Sequence, residues 1–458
     1  MVAVVVAAIS GCGNNYRPVI SAINPVGPAA QPQKFAVAIS STGTAANATP
    51  GLLTFVDFGG DTVLITANVG VNPYYLILNG STTTAASTGF TLNSDHTLTT
   101  FSIFTGLLTS QILQTTLLPN ANPVAIFPEG INTYVTDPGL NVVSQFTGSP
   151  LVLQQQFGID PTFKPIYTVG VPNAPRVYAI SQSNPVGSPG RVNTIETTSN
   201  TLDPTAIPVG VNPVYGVMTA DGKRAFILNQ GDGTVSVINA QTNTLDTVPA
   251  GSTNPIKVGT SPLWADFAPL RNEMVVVNSG DGVTPGSLSV ISIPLCSATT
   301  QVGNPNCDLN NPVDALGFGN VIANIPVGVN PIMVGVLQDT TNSRAYVVNK
   351  GDISLPCAAP GVAVTASTTT CTVSVINLDS NTVIATIPLP LSINVDAATP
   401  FANGHPNYIA VTSGTPTGKV YVTSGDTNFM TIIRTDTDAV DTTAPLQGAG
   451  VSVRVTQP

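Results

Sequence analysis

The chain is expected to fold as all-β: a single closed β-propeller of four-stranded blades, eight of them, with the first blade completed by the C-terminal strand. Three observations predict this. The heptapeptide IPVGVNP occurs at Ile207–Pro213 and again, letter for letter, at Ile325–Pro331, with a shorter VGVNP at Val69–Pro73. Between such copies the residues alternate apolar and polar with period two, the signature of strands. And the alternating segments recur in a fixed order, which is how repeat architectures announce themselves.

The recurring unit reads as four strands, A to D. A Gly-Pro loop leads into an apolar strand A (VYGVMTADG, IMVGVLQDT). Strand B is headed by a basic residue in KRAFILNQGDG from Lys223, RAYVVNKGD from Arg344 and KVYVTSGDT from Lys419. Strand C follows as TVSVINAQTNT at Thr234 and TVSVINLDSNT at Thr372, and a strand D such as VIATIPL from Val383 returns to the loop. B–C pairs begin near Lys34, Phe90, Asn132, Arg176, Arg224, Glu273, Arg344 and Lys419, which gives eight blades; seven result if the divergent segment near Phe90 belongs to a neighbour. The first blade lacks an A strand, and the chain ends in GAGVSVRVTQP, an A strand with nothing after it. Val451–Val455 is therefore expected to complete the first blade, which removes the exposed sheet edges of an open array.

This unit resembles the YVTN family of β-propeller repeats. The resemblance rests on TYVTDPG at Thr133–Gly139, AYVVNKGD at Ala345–Asp352, VYVTSGDT at Val420–Thr427 and the VSVIN strands, and it covers nearly the whole chain after residue 30. It implies the fold and says little of activity. Similar propellers include lactonases and haem- or copper-containing reductase domains, which carry His, Glu or Asp sites in the central channel.

Within the repeat, GVNP reads as a shaped crossing from the rim of one blade to the centre of the next. Gly210 and Gly328 are expected to supply unusual backbone angles. Pro213 and Pro331 fix φ and forgo a donor. Asn212 and Asn330 precede proline and are expected to be extended.

Only 8% of the 458 residues are charged, against roughly 25% in an average domain. Thr, Asn, Ser, Gly, Val and Pro fill the difference and suit sheets and turns. With a net charge of -10 and no basic cluster, the chain lacks the footprint that nucleic acid or an anionic lipid surface requires.

The N-terminus reads MVAVVVAAISGCGNN. Its apolar run, Val2 to Ile9, is far short of the ~20 residues of a spanning helix and fits the core of a signal peptide, although no basic residue precedes it. ISGC at Ile9–Cys12 resembles the lipobox of bacterial lipoproteins, whose Cys is diacylated and becomes the mature N-terminus. The expected organisation is residues 1–11 as a lipoprotein-type signal peptide, 12–31 as a tether and 32–458 as the propeller, held at the cell envelope by a lipidated Cys12, since two acyl chains anchor stably.

The remaining cysteines form two local pairs, Cys296 with Cys307 and Cys357 with Cys371, each bracketing a Gly/Pro/Thr-rich insertion. Disulfides that pin these insertions are expected, with free thiols as the alternative. A metal centre is disfavoured because neither pair has CxxC spacing or a neighbouring His.

Strand direction puts D–A crossings and B–C turns on one face. The B–C turns NQGDG, NSGDG, NKGD and TSGDT place Asp232, Asp281, Asp352 and Asp426 there. Turn chemistry accounts for them, a ring of carboxylates for a cation being the alternative. His96 and His405, the two histidines of the chain, fall on the same face. They read as unrelated surface residues, a shared metal or acid/base site being the alternative. Trp264, the sole Trp, lies on an inner strand, either packed between blades or at the channel mouth. The insertions Ser183–Gly190, Ile353–Thr370 and Leu391–Gly404 extend this looped face, and Pro294–Gly319 extends the opposite one. Long loops on a rigid scaffold are where binding tends to reside.

No G-x-S-x-G elbow, phosphate-binding loop or HExxH motif occurs. The expected function is that of a monomeric, extracytoplasmic, lipid-anchored propeller, without a cofactor, that binds a protein or glycan through its looped face. A hydrolase such as a lactonase using the channel is the alternative, and a structural surface-coat protein is a third.

Overall fold

The computed structural model describes residues 34–42, 49–80, 87–103, 112–171, 174–246, 253–294, 317–337, 343–390 and 404–457. Eight antiparallel sheets follow one another around the ring, each a four-stranded blade. The inner strands, in blade order, are Ala449–Val455, Pro73–Asn79, Ala125–Glu129, Phe163–Val169, Pro213–Met218, Pro262–Ala268, Pro331–Val336 and Pro406–Thr412. Blade 1 is closed as the sequence predicts: Ala449–Val455 pairs with Phe35–Ser41, with Ala38 opposite Val453. In blades 4 and 5 the outer strand is split into two short pieces, Thr201–Leu202 with Ile207–Val211 and Thr244–Leu245 with Ile256–Lys257.

The core lies between blades. One cluster joins blades 4 and 5 through Tyr178, Ile180, Val192, Ile207, Ala225, Ile227 and Ile238, and another joins blades 6 and 7 through Val275, Val277, Leu288, Ile325, Val347 and Ile376. Each fully buried Val, Leu or Ile among them contributes about 1.5–3 kcal/mol. The central strands, such as Arg224–Asn229 and Lys419–Ser424, are buried along their whole length because both of their faces pack on a neighbouring blade, while an outer strand such as Val152–Gly158 alternates between exposed and half-buried residues.

The basic residues that head the B strands staple blade to blade on the A–B/C–D face. Arg344 pairs with Asp438 of blade 8 at 2.8 Å, and Lys419 with Asp61 of blade 1 at 2.6 Å. Lys34 donates to the Ser413 carbonyl and Arg176 to the Ala240 carbonyl. Arg224 turns within its own blade and forms an enclosed ion pair with Asp246 at 2.5 Å, the two side chains 0% and 1% exposed.

The repeated letters around the B–C turn also have a role. Asn93, Asn229, Asn278 and Asn349 end their B strands, and each amide donates to two hydroxyls of strand C: Thr97 and Thr99, Thr234 and Ser236, Ser287 and Ser289, Thr372 and Ser374. The D–A crossing lies against this amide. A Cβ on Gly210 would come within 2.6 Å of the Asn229 side chain, and one on Gly328 within 2.6 Å of Asn349. These glycines are required by close approach, not by φ.

The left-handed residues are the asparagines. Asn212 and Asn330 have φ of 49° and 50°, and Asn72 has 42°. This corrects the expectation of extended geometry before proline. The preference of a pre-proline residue is overridden because the chain must turn sharply into the inner strand, and Asn tolerates the left-handed region better than other non-glycine residues.

Candidate functional site at the channel mouth

Every D–A crossing ends in a residue that starts an inner strand, so the beginnings of these strands rim the channel on the looped face. A register irregularity follows a residue within the first three of the inner strand in blades 1, 2 and 4 to 8: Pro73, Pro165, Pro213, Pro262, Pro331, Pro406 and, in the closing strand, Gly450. Two residues beyond it stand Tyr75, Tyr167, Tyr215, Trp264, Met333, Tyr408 and Ser452, and the matching position of blade 3 is Ala125. Five of the eight blades thus present a large aromatic side chain at one level, about 7 Å inside the mouth at the rise of a strand.

The rings meet. Tyr215 stacks on Trp264 with centroids 4.1 Å apart and lies 4.8 Å from Tyr167 on its other side. Trp264 of blade 6 also touches the ring of Tyr408 of blade 8 edge-on at 6.0 Å, past the intervening blade. From the closing strand, Arg454 brings its guanidinium 4.7 Å from the Tyr408 ring and 5.9 Å from the Trp264 ring. Its Nε donates to the Leu76 carbonyl of blade 2 at 3.2 Å. These side chains are surrounded by protein yet keep accessible surface.

Burial raises the pKa of Tyr75, Tyr167, Tyr215 and Tyr408 above the ordinary phenol value, so all four are neutral hydroxyls. Two residues below Trp264, Asp266 accepts from the Val336 and Phe267 amides at 2.8 Å each. Burial outweighs these bonds and pushes its pKa up to about 6. The site therefore offers aromatic walls, phenolic hydroxyls, one fixed cation and one weak acid.

The residues singled out on the looped face are used locally. Asp232 accepts from the Val211 amide at 2.9 Å and the Thr234 hydroxyl at 2.6 Å, clamping the D–A crossing to the B–C turn. Asp95, beside His96, repeats this with Val71 and Thr97. Asp281 caps its own turn through Val283 and Thr284, and Asp352 does so through Ser354; these bonds hold both carboxyls below their usual range. Asp426 accepts from the His405 amide at 3.4 Å.

The structure does not bring the two histidines together. His96 sits in a left-handed turn with Nδ1 2.9 Å from the Ala121 carbonyl. His405 is buried, its Nδ1 2.7 Å from the Lys350 carbonyl and 3.5 Å from both sulfurs of Cys357 and Cys371. Those cysteines form the expected disulfide, which pins the Ile353–Thr370 insertion. His405, Cys357 and Cys371 are the one grouping of three metal-ligating side chains among the described residues. As a disulfide its sulfurs carry no thiolate charge, so here it acts as a staple. Cys12, Cys296 and Cys307 lie outside the described residues, as do 295–316 and 391–403 of the insertions.

No family model matches the chain, and no curated protein sequence matches it. Solved structures do. The chain is similar to Citrobacter koseri AztD, at 11% identity over 92% of this chain and 97% of that one, with a TM-score of 0.56. It is also similar to the dihydro-heme d1 dehydrogenase NirN, solved in complex with DHE, at 10% identity over 93% of this chain and 75% of that one, with a TM-score of 0.57. At such identities the likeness establishes the propeller fold.

Sequence reasoning placed Trp264 on an inner strand but missed the ring it belongs to. The signal was present as Pro-x-Tyr or Pro-x-Trp at Pro73, Pro165, Pro213, Pro262 and Pro406. Arg454 was missed because its neighbours come from blades distant in sequence.

Proposed function

We propose that this protein is a binding module of the bacterial cell envelope, a YVTN-type propeller held by a lipid on Cys12 and recognising a protein or glycan through its looped face. The observation that carries the reading is the ring of Tyr75, Tyr167, Tyr215, Trp264 and Tyr408 with Arg454 at the channel mouth. Tyr, Trp and Arg are the residues that dominate recognition surfaces, because they supply large contact areas at low cost in side-chain freedom. The disulfide-pinned insertion beside the mouth supports the same reading, since a pre-ordered loop costs less to bind with. Cross-linking with mass spectrometry on native membranes tests it. The expected result is a reproducible partner attached through looped-face residues such as Lys350, and a mature N-terminus at Cys12 carrying lipid. Recovery of the protein with no partner would count against the binding role, and an unlipidated or different N-terminus against the anchor.

A further inference from the structure

We infer that the aromatic channel mouth holds an organic carboxylate, a ring-sized monoacid whose carboxylate meets the guanidinium of Arg454. The inference rests on the reading of the mouth as a recognition surface and names the chemistry of what enters it.

The argument starts from what each arginine does. Among the described residues Arg176, Arg191, Arg224, Arg271, Arg344 and Arg434 all pair with a carboxylate. Of the described arginines, Arg454 alone takes part in no such pair, although it is the one drawn into the channel. Its single hydrogen bond among them is that from Nε to Leu76. The faces of Tyr408 and Trp264 offset part of its lost hydration, as cation–π contacts do. They leave the two terminal nitrogens, whose paired N–H groups form the planar fork that matches a carboxylate. A guanidinium withdrawn from bulk water without an anion is costly, so an anion supplied from outside gains what the fold leaves unmet.

The surroundings select among anions. The walls are the rings of Tyr75, Tyr167, Tyr215, Trp264 and Tyr408, which favour a flat or apolar body over a fully hydrated ion. Asp266 directs its carboxylate to the Val336 and Phe267 amides, so it is not spent on Arg454, and its charge repels a second negative charge on the ligand. A monocarboxylate suits this arrangement better than a phosphate or sulfate dianion.

Trp264 is the only tryptophan of the chain, so its emission reports this site alone. The test is a fluorescence titration of the full-length protein with benzoate, with benzamide as the neutral isostere and sulfate at matched ionic strength. Expected is a saturable change with benzoate, binding of benzamide at least ten-fold weaker, and no saturable change with sulfate. Arg454→Met should weaken benzoate at least ten-fold. Arg454→Lys keeps a charge on the closing strand but loses the fork, and should weaken it several-fold; it serves if the methionine variant does not fold. Benzamide binding as tightly as benzoate, unchanged affinity in the folded Arg454 variants, or no response to benzoate would each overturn the inference. If Trp264 stays silent while cross-linking still recovers a partner, the inference falls and the binding-module reading stands. If benzoate binds as expected while cross-linking recovers no partner, the inference stands and the macromolecular partner falls.

Discussion

Replacing Arg224 with methionine should be among the most destabilising single changes available in this protein. Its Nε lies 2.5 Å from Asp246 Oδ2, and neither side chain has meaningful exposure. Arg224 begins strand B of blade 5, and Asp246 follows the short outer piece Thr244–Leu245, so the pair ties the split outer strand to the sheet. Removing one side chain takes from a dry charge its opposite charge, which costs about 3–5 kcal/mol. With a melting entropy of about 2.1 cal/mol/K per residue, a chain of 458 residues carries roughly 1 kcal/mol/K, so the melting temperature should fall by about 3–5 °C. Asp246→Leu should cost a similar amount. The double variant Arg224→Met/Asp246→Leu should recover most of the loss, because an apolar pair of like volume needs no charge compensation. Urea unfolding followed by Trp264 emission, with calorimetry for the thermal midpoint, measures all four corners of the cycle. A single variant losing less than ~1 kcal/mol, or a double variant no better than the worse single, would refute the reasoning.

Asn330→Ala should cost ~1–2 kcal/mol, since φ is 50° there and alanine is strained in that region, while Asn330→Gly should cost less; thermal midpoints of both variants decide it. Asp266 has a folded pKa raised to about 6 from 3.8, so between those values the folded state binds more protons than the unfolded state. Stability should therefore fall as pH rises through about 4 to 6, by at most ~3 kcal/mol from this residue, and Asp266→Asn should flatten that part of the stability–pH curve. Reducing the Cys357–Cys371 disulfide, whose partners are 14 residues apart, should cost ~3 kcal/mol by the loop-closure relation. A melt in dithiothreitol, with Cys357→Ser/Cys371→Ser as the control, checks it.

The ring and its closure were legible because short apolar strands recur in a fixed order, and because the D–A crossing is spelled VGVNP three times and VGTSP once. The chemistry of those letters was less legible. Glycine and asparagine exchanged their expected roles in GVNP: Gly210 is required by the Asn229 amide pressed against it, a contact between different strands that local propensity does not encode. The candidate site was harder still. Tyr75, Tyr167, Tyr215 and Tyr408 sit in strands whose letters read as ordinary alternation, and the register irregularity after each proline sets where they project. The turn carboxylates drew attention in the sequence because they recur, and Asp232 recurs for the clamp it makes on the D–A crossing.

The closing strand sets an order of events as well as a shape. Arg454 lies in Ala449–Val455, whose sheet partner is Phe35–Ser41, at the other end of the described chain. The channel mouth thus lacks its cation until that last strand has docked on the first. A chain that stops short of it, or folds with blade 1 unpaired, has a nearly full set of blades and an aromatic mouth, but no guanidinium in it. Occupancy of the mouth therefore reports that the whole ring has closed, and a ligand held there would bias the protein against reopening at its one seam between chain ends.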